Sequence, residues 1–233
     1  MNNRDTISSH GKMVPEMKLF ELVDAHPSLI SLISRLNIGL PFGDISIEEM
    51  CRREGHDVEL FMMLCNMHIN PSYRPPHSAL RVSMLGDVVG YLRASHRYYA
   101  QYMLPHVARH LDEILAHCDK LSERALNTFY ADYTRYVMSH FEDEERNIFV
   151  LIDRADRGSL SDLAELEQPH GDIDDRTNDI ASLIFKSLPE GVPTPLRCSM
   201  LDDIYALRDD LRAHSNIEMH LLRPLVENFI KKG

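Results

Sequence analysis

The sequence predicts an all-α protein: an antiparallel four-helix bundle over residues 80–233, preceded by a small helical domain over 17–72 and a flexible N-terminus over 1–16. Three observations carry that prediction. After residue 80, apolar residues recur at three- and four-residue steps in four long segments, the spacing of one face of a helix. No stretch alternates apolar and polar residues as a half-buried strand would. Proline clusters at "NPSYRPPHS" (70–78) and "LPEGVPTP" (188–195) break the pattern, because proline lacks an amide donor and pushes the preceding residue out of the α region. The first cluster marks a domain boundary and the second a loop between helices.

Before residue 70 the pattern reads as short helices, "MKLFELVDA", "PSLISLISRL", "SIEEMCRRE" and "DVELFMMLCNM". Ser46 with Glu49 makes an S-x-x-E capping box, and Asp57 can cap the helix that follows Gly55. The first bundle helix carries Leu85, Val89, Leu92, His96, Tyr99 and Met103 as its stripe. The second carries Leu126, Tyr130, Tyr133, Val137, His140, Glu144, Ile148 and Leu151. The third begins near Pro169, tolerated in a first turn, and runs through His170, Ile173, Asp174, Thr177 and Ile180 to Ile184. The fourth carries Ile204, Leu207, Leu211, His214, Glu218, Leu222 and Leu225.

Composition narrows the partners. The 233 residues carry a net charge of −11 with no basic block, so the field repels nucleic acid and anionic membrane surfaces and favours cations. Residues 1–75 hold 7 Lys and Arg against 10 Asp and Glu, the wrong sign for a phosphate-binding face. The start "MNNRDTISSHGK" lacks the apolar core of a signal peptide, and no uncharged stretch is long enough to span a bilayer. A cytoplasmic protein is expected. Cys51, Cys65, Cys118 and Cys198 lie far apart without a C-x-x-C, which suits reduced thiols rather than a disulfide framework or a zinc ribbon.

Each helix stripe contains a histidine, and two of them add a glutamate one turn on: His140 with Glu144, and His214 with Glu218. A single histidine on such a face is ordinarily a packed ring that finds a carbonyl or water. Burying all of these groups without partners would cost several kcal/mol, so they satisfy each other or a common ligand. Residues i and i+4 stand about 6 Å apart along one face, so a histidine and a carboxylate there reach the same small volume. Two such pairs would frame a dinuclear site. Four imidazoles and two carboxylates without thiolate favour iron or manganese, whereas a structural zinc would more often use cysteine. The candidate ligands are therefore His96, His140, Glu144, His170, His214 and Glu218, with Glu144 and Glu218 as bridges. A buried polar network without metal is the alternative.

The neighbouring groups divide. Asp174, four residues after His170, is a further ligand, an acceptor that orients a ring, or a solvated acid near a helix N-terminus. Tyr99, Tyr130 and Tyr133 lie on the same faces as pocket lining or core aromatics. Glu142, Asp143 and Glu145 are expected to turn toward water. His106 and His110 lie three to four turns from His96, about 15 to 20 Å, too far to share its site, and read with His117 as solvated or packing residues, with an adventitious surface metal as the alternative.

These residues resemble the hemerythrin-like cation-binding domains, especially the di-iron proteins linked to repair of iron–sulfur clusters and nitric-oxide stress. The matching pieces are "SHRYYAQYMLPHV", "HFEDEE", "EQPHGDIDD" and "HSNIEMHLLRPLV". The region "LNIGLPFGDISIEEMCRREGHDVELFMMLCNM" is similar to the small domain that precedes the bundle in the repair proteins. Two departures stand out. Leu40 and Pro41 occupy the place of an adjacent cysteine pair, and Pro169 stands where an acidic residue often precedes the helix-three histidine, leaving Glu167 or Asp174 to replace it. The resemblance implies two oxo- or hydroxo-bridged iron ions and a small ligand, O2, NO or peroxide. It also implies iron–sulfur proteins as partners in repair and admits a homodimer. A sensor or carrier that binds O2 or NO and signals through the N-terminal domain is the alternative function.

Overall fold

The computed structural model describes residues 13–156, 158–160, 171–186 and 188–231. The N-terminus up to residue 12, Glu167 and His170 lie outside them, and the Asp174 side chain is likewise outside what is described. The chain divides into two compact units, Met1–Met84 and Leu85–Gly233. Among the described residues there is no strand, and one isolated bridge joins Lys18 to Ser46.

The first unit has four short helices: α1 (Leu19–Ala25), α2 (Leu29–Arg35), α3 (Ile47–Glu54) and α4 (Val58–Ile69). Their boundaries follow local chemistry. Ser46 Oγ accepts from the Glu49 amide at 3.1 Å and opens α3, while Asp57 Oδ1 accepts from the Leu60 amide at 2.9 Å and opens α4. Gly55 ends α3 at φ 78°, a left-handed conformation in which a Cβ would be strained. The helices pack α2 on α4 and α3 on α4 around Leu32, Met50, Phe61 and Leu64. Cys51 and Cys65 lie in the same core, and burial pushes the Cys51 thiol up to about 12 and the Cys65 thiol up as well.

The second unit is the bundle. Its helices are α5 (Leu85–Tyr98), α6 (Leu104–Leu115), α7 (Lys120–Glu144), α8 (Val150–Asp153), α9 (Gly171–Lys186), α10 (Thr194–Ile217) and α11 (Arg223–Lys231). Contacts close a ring: α6 touches α7 and α10, and α9 touches the same two. A ring of four packed helices is the bundle geometry. Asp119 starts α7 by accepting from the amides of Leu121 and Ser122, both at 2.9 Å. The core runs through Val107, Ile114, Val137, Ile184, Met200, Ile204 and Leu207.

Three π turns interrupt these helices, at Tyr99–Met103, Glu145–Phe149 and Glu218–Leu222. Each inserts a residue into the α ladder and turns the following face by about 100°. The consequence is visible in burial. A continuous α phase would bury Met103, Ile148 and Leu151, yet the chain buries Leu104, Phe149 and Ile152, each one residue later. Up to Tyr99 and Glu144 the sequence stripe holds and then slips by one, whereas Leu222 and Leu225 stay buried across the third π turn.

The packing predicts a contrast between two leucines. Leu207→Ala, fully buried, should lower unfolding free energy by about 3 kcal/mol in urea titrations. Leu121→Ala, 80% exposed, should change it by less than about 0.5 kcal/mol. The core position of Cys51 and Cys65 predicts that a thiol reagent at pH 8 labels the exposed Cys198 quickly and reaches these two only after unfolding, readable by mass spectrometry.

Candidate metal centre

Where α5, α7 and α10 reach their π turns, four polar side chains meet in the core. His96, Glu144, His214 and Glu218 are 5%, 3%, 2% and 6% exposed. Their ligating atoms all lie within 4.8 Å of one another. His96 Nε2 is 3.3 Å from Glu144 Oε2 and 3.3 Å from His214 Nε2. His214 Nε2 is 2.9 Å from Glu218 Oε1, and His140 Nε2 is 3.2 Å from Glu144 Oε1. The two oxygens of Glu144 thus face different imidazoles.

The far side of His96 decides what its near side offers. Its Nδ1 lies 3.1 Å from Glu145 Oε1. Arg93 Nε donates to the other oxygen of Glu145 at 3.1 Å, and Arg93 Nη2 reaches Asp153 at 2.7 Å. A carboxylate facing Nδ1 assigns the proton to that nitrogen, leaving the Nε2 lone pair aimed at another imidazole nitrogen and a carboxylate oxygen. Lone pairs converging in a dry core repel unless a proton or a cation lies among them. A set of imidazoles and carboxylates without thiolate suits iron, manganese or zinc, so the residues present fit a metal. The histidine–carboxylate–arginine arrangement also fixes the orientation of the His96 ring.

Burial raises the Glu144 pKa first, and the negative charge of Glu218 raises it further; hydrogen bonding with His96 and the charges available on His140 and His214 oppose the rise. Aromatic rings wall the group. His96 stacks on Phe141 with centroids 4.3 Å apart and on Phe149 at 5.6 Å. Tyr99 presents its edge to His214 at 5.7 Å and donates its hydroxyl to the Asp210 carbonyl at 3.1 Å.

The structure brings five of the sequence-selected ligands, His96, His140, Glu144, His214 and Glu218, to one place. Of the three tyrosines, Tyr99 is the one seated edge-on against a ligand ring. Tyr130 donates to the Leu104 carbonyl at 2.7 Å, and the Tyr133 hydroxyl pairs with Thr177 Oγ1 at 3.0 Å, deeper in the core. Glu145 overturns an expectation. Expected to face water, it stands at the start of the π turn and meets His96 Nδ1 instead. Periodicity therefore missed Glu145, Arg93, Phe141 and Phe149; the unusual density of acids in "HFEDEE" was the one available signal for the first.

A ring of helices closed around buried imidazoles and carboxylates defines a cation-binding bundle. Comparison with protein families agrees: the model described as Hemerythrin HHE cation binding domain matches residues 87–226, more than half of the chain, and the chain belongs to this family. No curated protein matches it.

A raised pKa has a definite sign for stability. In the metal-free fold Glu144 keeps a proton that the unfolded chain releases at the ordinary glutamate value, so stability falls as pH rises from that value through the raised one. Glu144→Gln removes this loss. Thermal unfolding of metal-free protein from pH 4 to 8 should show the variant gaining on wild type as pH rises; a constant gap would contradict the buried acid.

Proposed function

We propose that the bundle holds two iron ions and that the loaded protein binds or reduces a small oxidant, O2, NO or peroxide, in the repair of iron–sulfur clusters under nitrosative or oxidative stress. The observation that carries this reading is the buried convergence of His96, Glu144, His214 and Glu218 within 4.8 Å. The ligand set is His96, His140, Glu144, His170, His214 and Glu218, with His170 entering on the sequence alone. Glu144 suits a bridging role because each of its oxygens already faces a different imidazole.

Iron bound there supplies the electron exchange and a coordination position open to a small ligand. The protein's own residues prepare the place. Glu145, braced by Arg93, keeps the His96 proton on Nδ1 and its Nε2 directed inward. Phe141 and Phe149 exclude water from that face, which strengthens every charge interaction inside. The two glutamates offset part of the cation charge.

The repair reading draws on the likeness of residues 17–70 to the small domain of the repair proteins. The buried, protonated Cys51 and Cys65 offer no thiolate, so the chemistry is assigned to the bundle. A cytoplasmic setting belongs to the same proposal; no described helix is long and apolar enough to cross a membrane.

Anaerobic reconstitution followed by metal analysis and absorption spectroscopy tests the centre. About two irons per chain with near-ultraviolet charge-transfer bands are expected. Less than about half an iron per chain would sink the site. Glu218→Ala should lower the iron content while leaving the helical circular dichroism in place. To test repair, the reduced protein is incubated with a nitrosylated iron–sulfur enzyme; absence of recovered activity together with tight, reversible O2 or NO binding would favour the sensor.

A further inference from the structure

Further along the bundle from the buried group, a second set of ligand-type side chains converges. His106 and His110 stand one turn apart on α6, and Asp203 faces them from α10, a helix in contact with α6. His106 Nε2 lies 3.3 Å from Asp203 Oδ1, and His110 Nδ1 faces Asp203 Oδ2 closely. The ligating atoms of all three residues fall within 4.8 Å of one another. The two rings are 4.6 Å apart between centroids and tilted by 51°, so they converge on the carboxylate rather than stack.

We propose that His106, His110 and Asp203 form a mononuclear site for a borderline divalent cation of the zinc or cobalt type, distinct from the buried centre. Three arguments carry it. First, the pairing is poor as hydrogen bonding. His110 Nδ1 and Asp203 Oδ2 are shielded from solvent, and among the described residues they face each other without the geometry of a hydrogen bond. The 3.3 Å separation at His106 exceeds the usual N–H···O range but equals, to about 0.1 Å, the edge of a tetrahedron built on bonds of about 2.05 Å. Second, two imidazoles and one carboxylate leave coordination positions open, and the site opens into a cleft of about 430 Å³ lined by Tyr98, Tyr102, Met103 and Arg109. Water or a small anion can complete the shell from there. Third, the separation from His96 excludes a shared ion: ten residues of helix place His106 about 15 Å away. Arg109 Nη2 lies 3.3 Å from His106 Nδ1, on the side of the ring away from Asp203. Arg109 is exposed and turns to solvent when Nδ1 takes the proton that metal binding at Nε2 requires.

The test uses full-length protein already reconstituted with iron, titrated with Co2+ and followed by visible absorption and by metal analysis after desalting. Wild type should take up about one further cobalt per chain, and H106Q/H110Q should lose it while keeping its iron. Asp203→Asn should weaken cobalt binding by at least about tenfold and serves where the double variant does not fold. Equal cobalt uptake by wild type and either folded variant would overturn the site. Should the buried centre take no iron at all, the difference of about one cobalt between wild type and H106Q/H110Q still reads the second site alone.

Discussion

Two glutamates buried side by side set the terms for the bundle. Glu144 and Glu218 are nearly inaccessible to water, and that burial first, with the charge of Glu218 second, raises the pKa of Glu144. A core of leucine, valine and phenylalanine gives no dielectric relief for two anions, so positive charge has to be brought to them as protons on the surrounding imidazoles or as cations. The helices around the group are arranged to deliver imidazoles. Each of the three helices that supply described ligands also carries a π turn within about one turn of its ligand, so the local distortion sits where the ligands converge.

Much of this was legible in the sequence, and what was not has one cause. Three- and four-residue spacing identifies the bundle helices, and the recurrence of H-x-x-x-E marks His140, Glu144, His214 and Glu218. Spacing can do this because up to those residues the helices are regular. A π turn leaves no mark in hydrophobic periodicity until it has passed, and then it reads as a slip of the stripe. Hence Ile148 and Leu151 were selected where Phe149 and Ile152 are buried, and Glu145 was assigned to water where it meets His96. The run "RNIFVLI" holds apolar residues in both registers, so composition alone does not choose between them. The caps, by contrast, were readable residue by residue: Ser46 and Asp57 need only a local amide, and local chemistry is what a sequence states most directly.

The two units differ in how they treat polar groups. The N-terminal one buries sulfur and hydrocarbon together with Arg35, and pairs Arg81 with Asp57 and Glu59 at its surface. Its thiols are therefore packing material. The bundle concentrates titratable groups along its axis and at the α6–α10 face, where His106, His110 and Asp203 repeat on a smaller scale the pairing of imidazoles with a carboxylate.

The brace on His96 has one more consequence. Arg93 ties Glu145 and Asp153 together at a partly exposed edge, with side chains 28%, 35% and 50% accessible, while the ring it steadies is almost fully enclosed. Exposed charges are screened by dissolved salt, whereas enclosed ones are hardly affected. The orientation of an interior ligand is thus anchored in surface electrostatics, and ionic strength has a route into the core that passes through a single guanidinium.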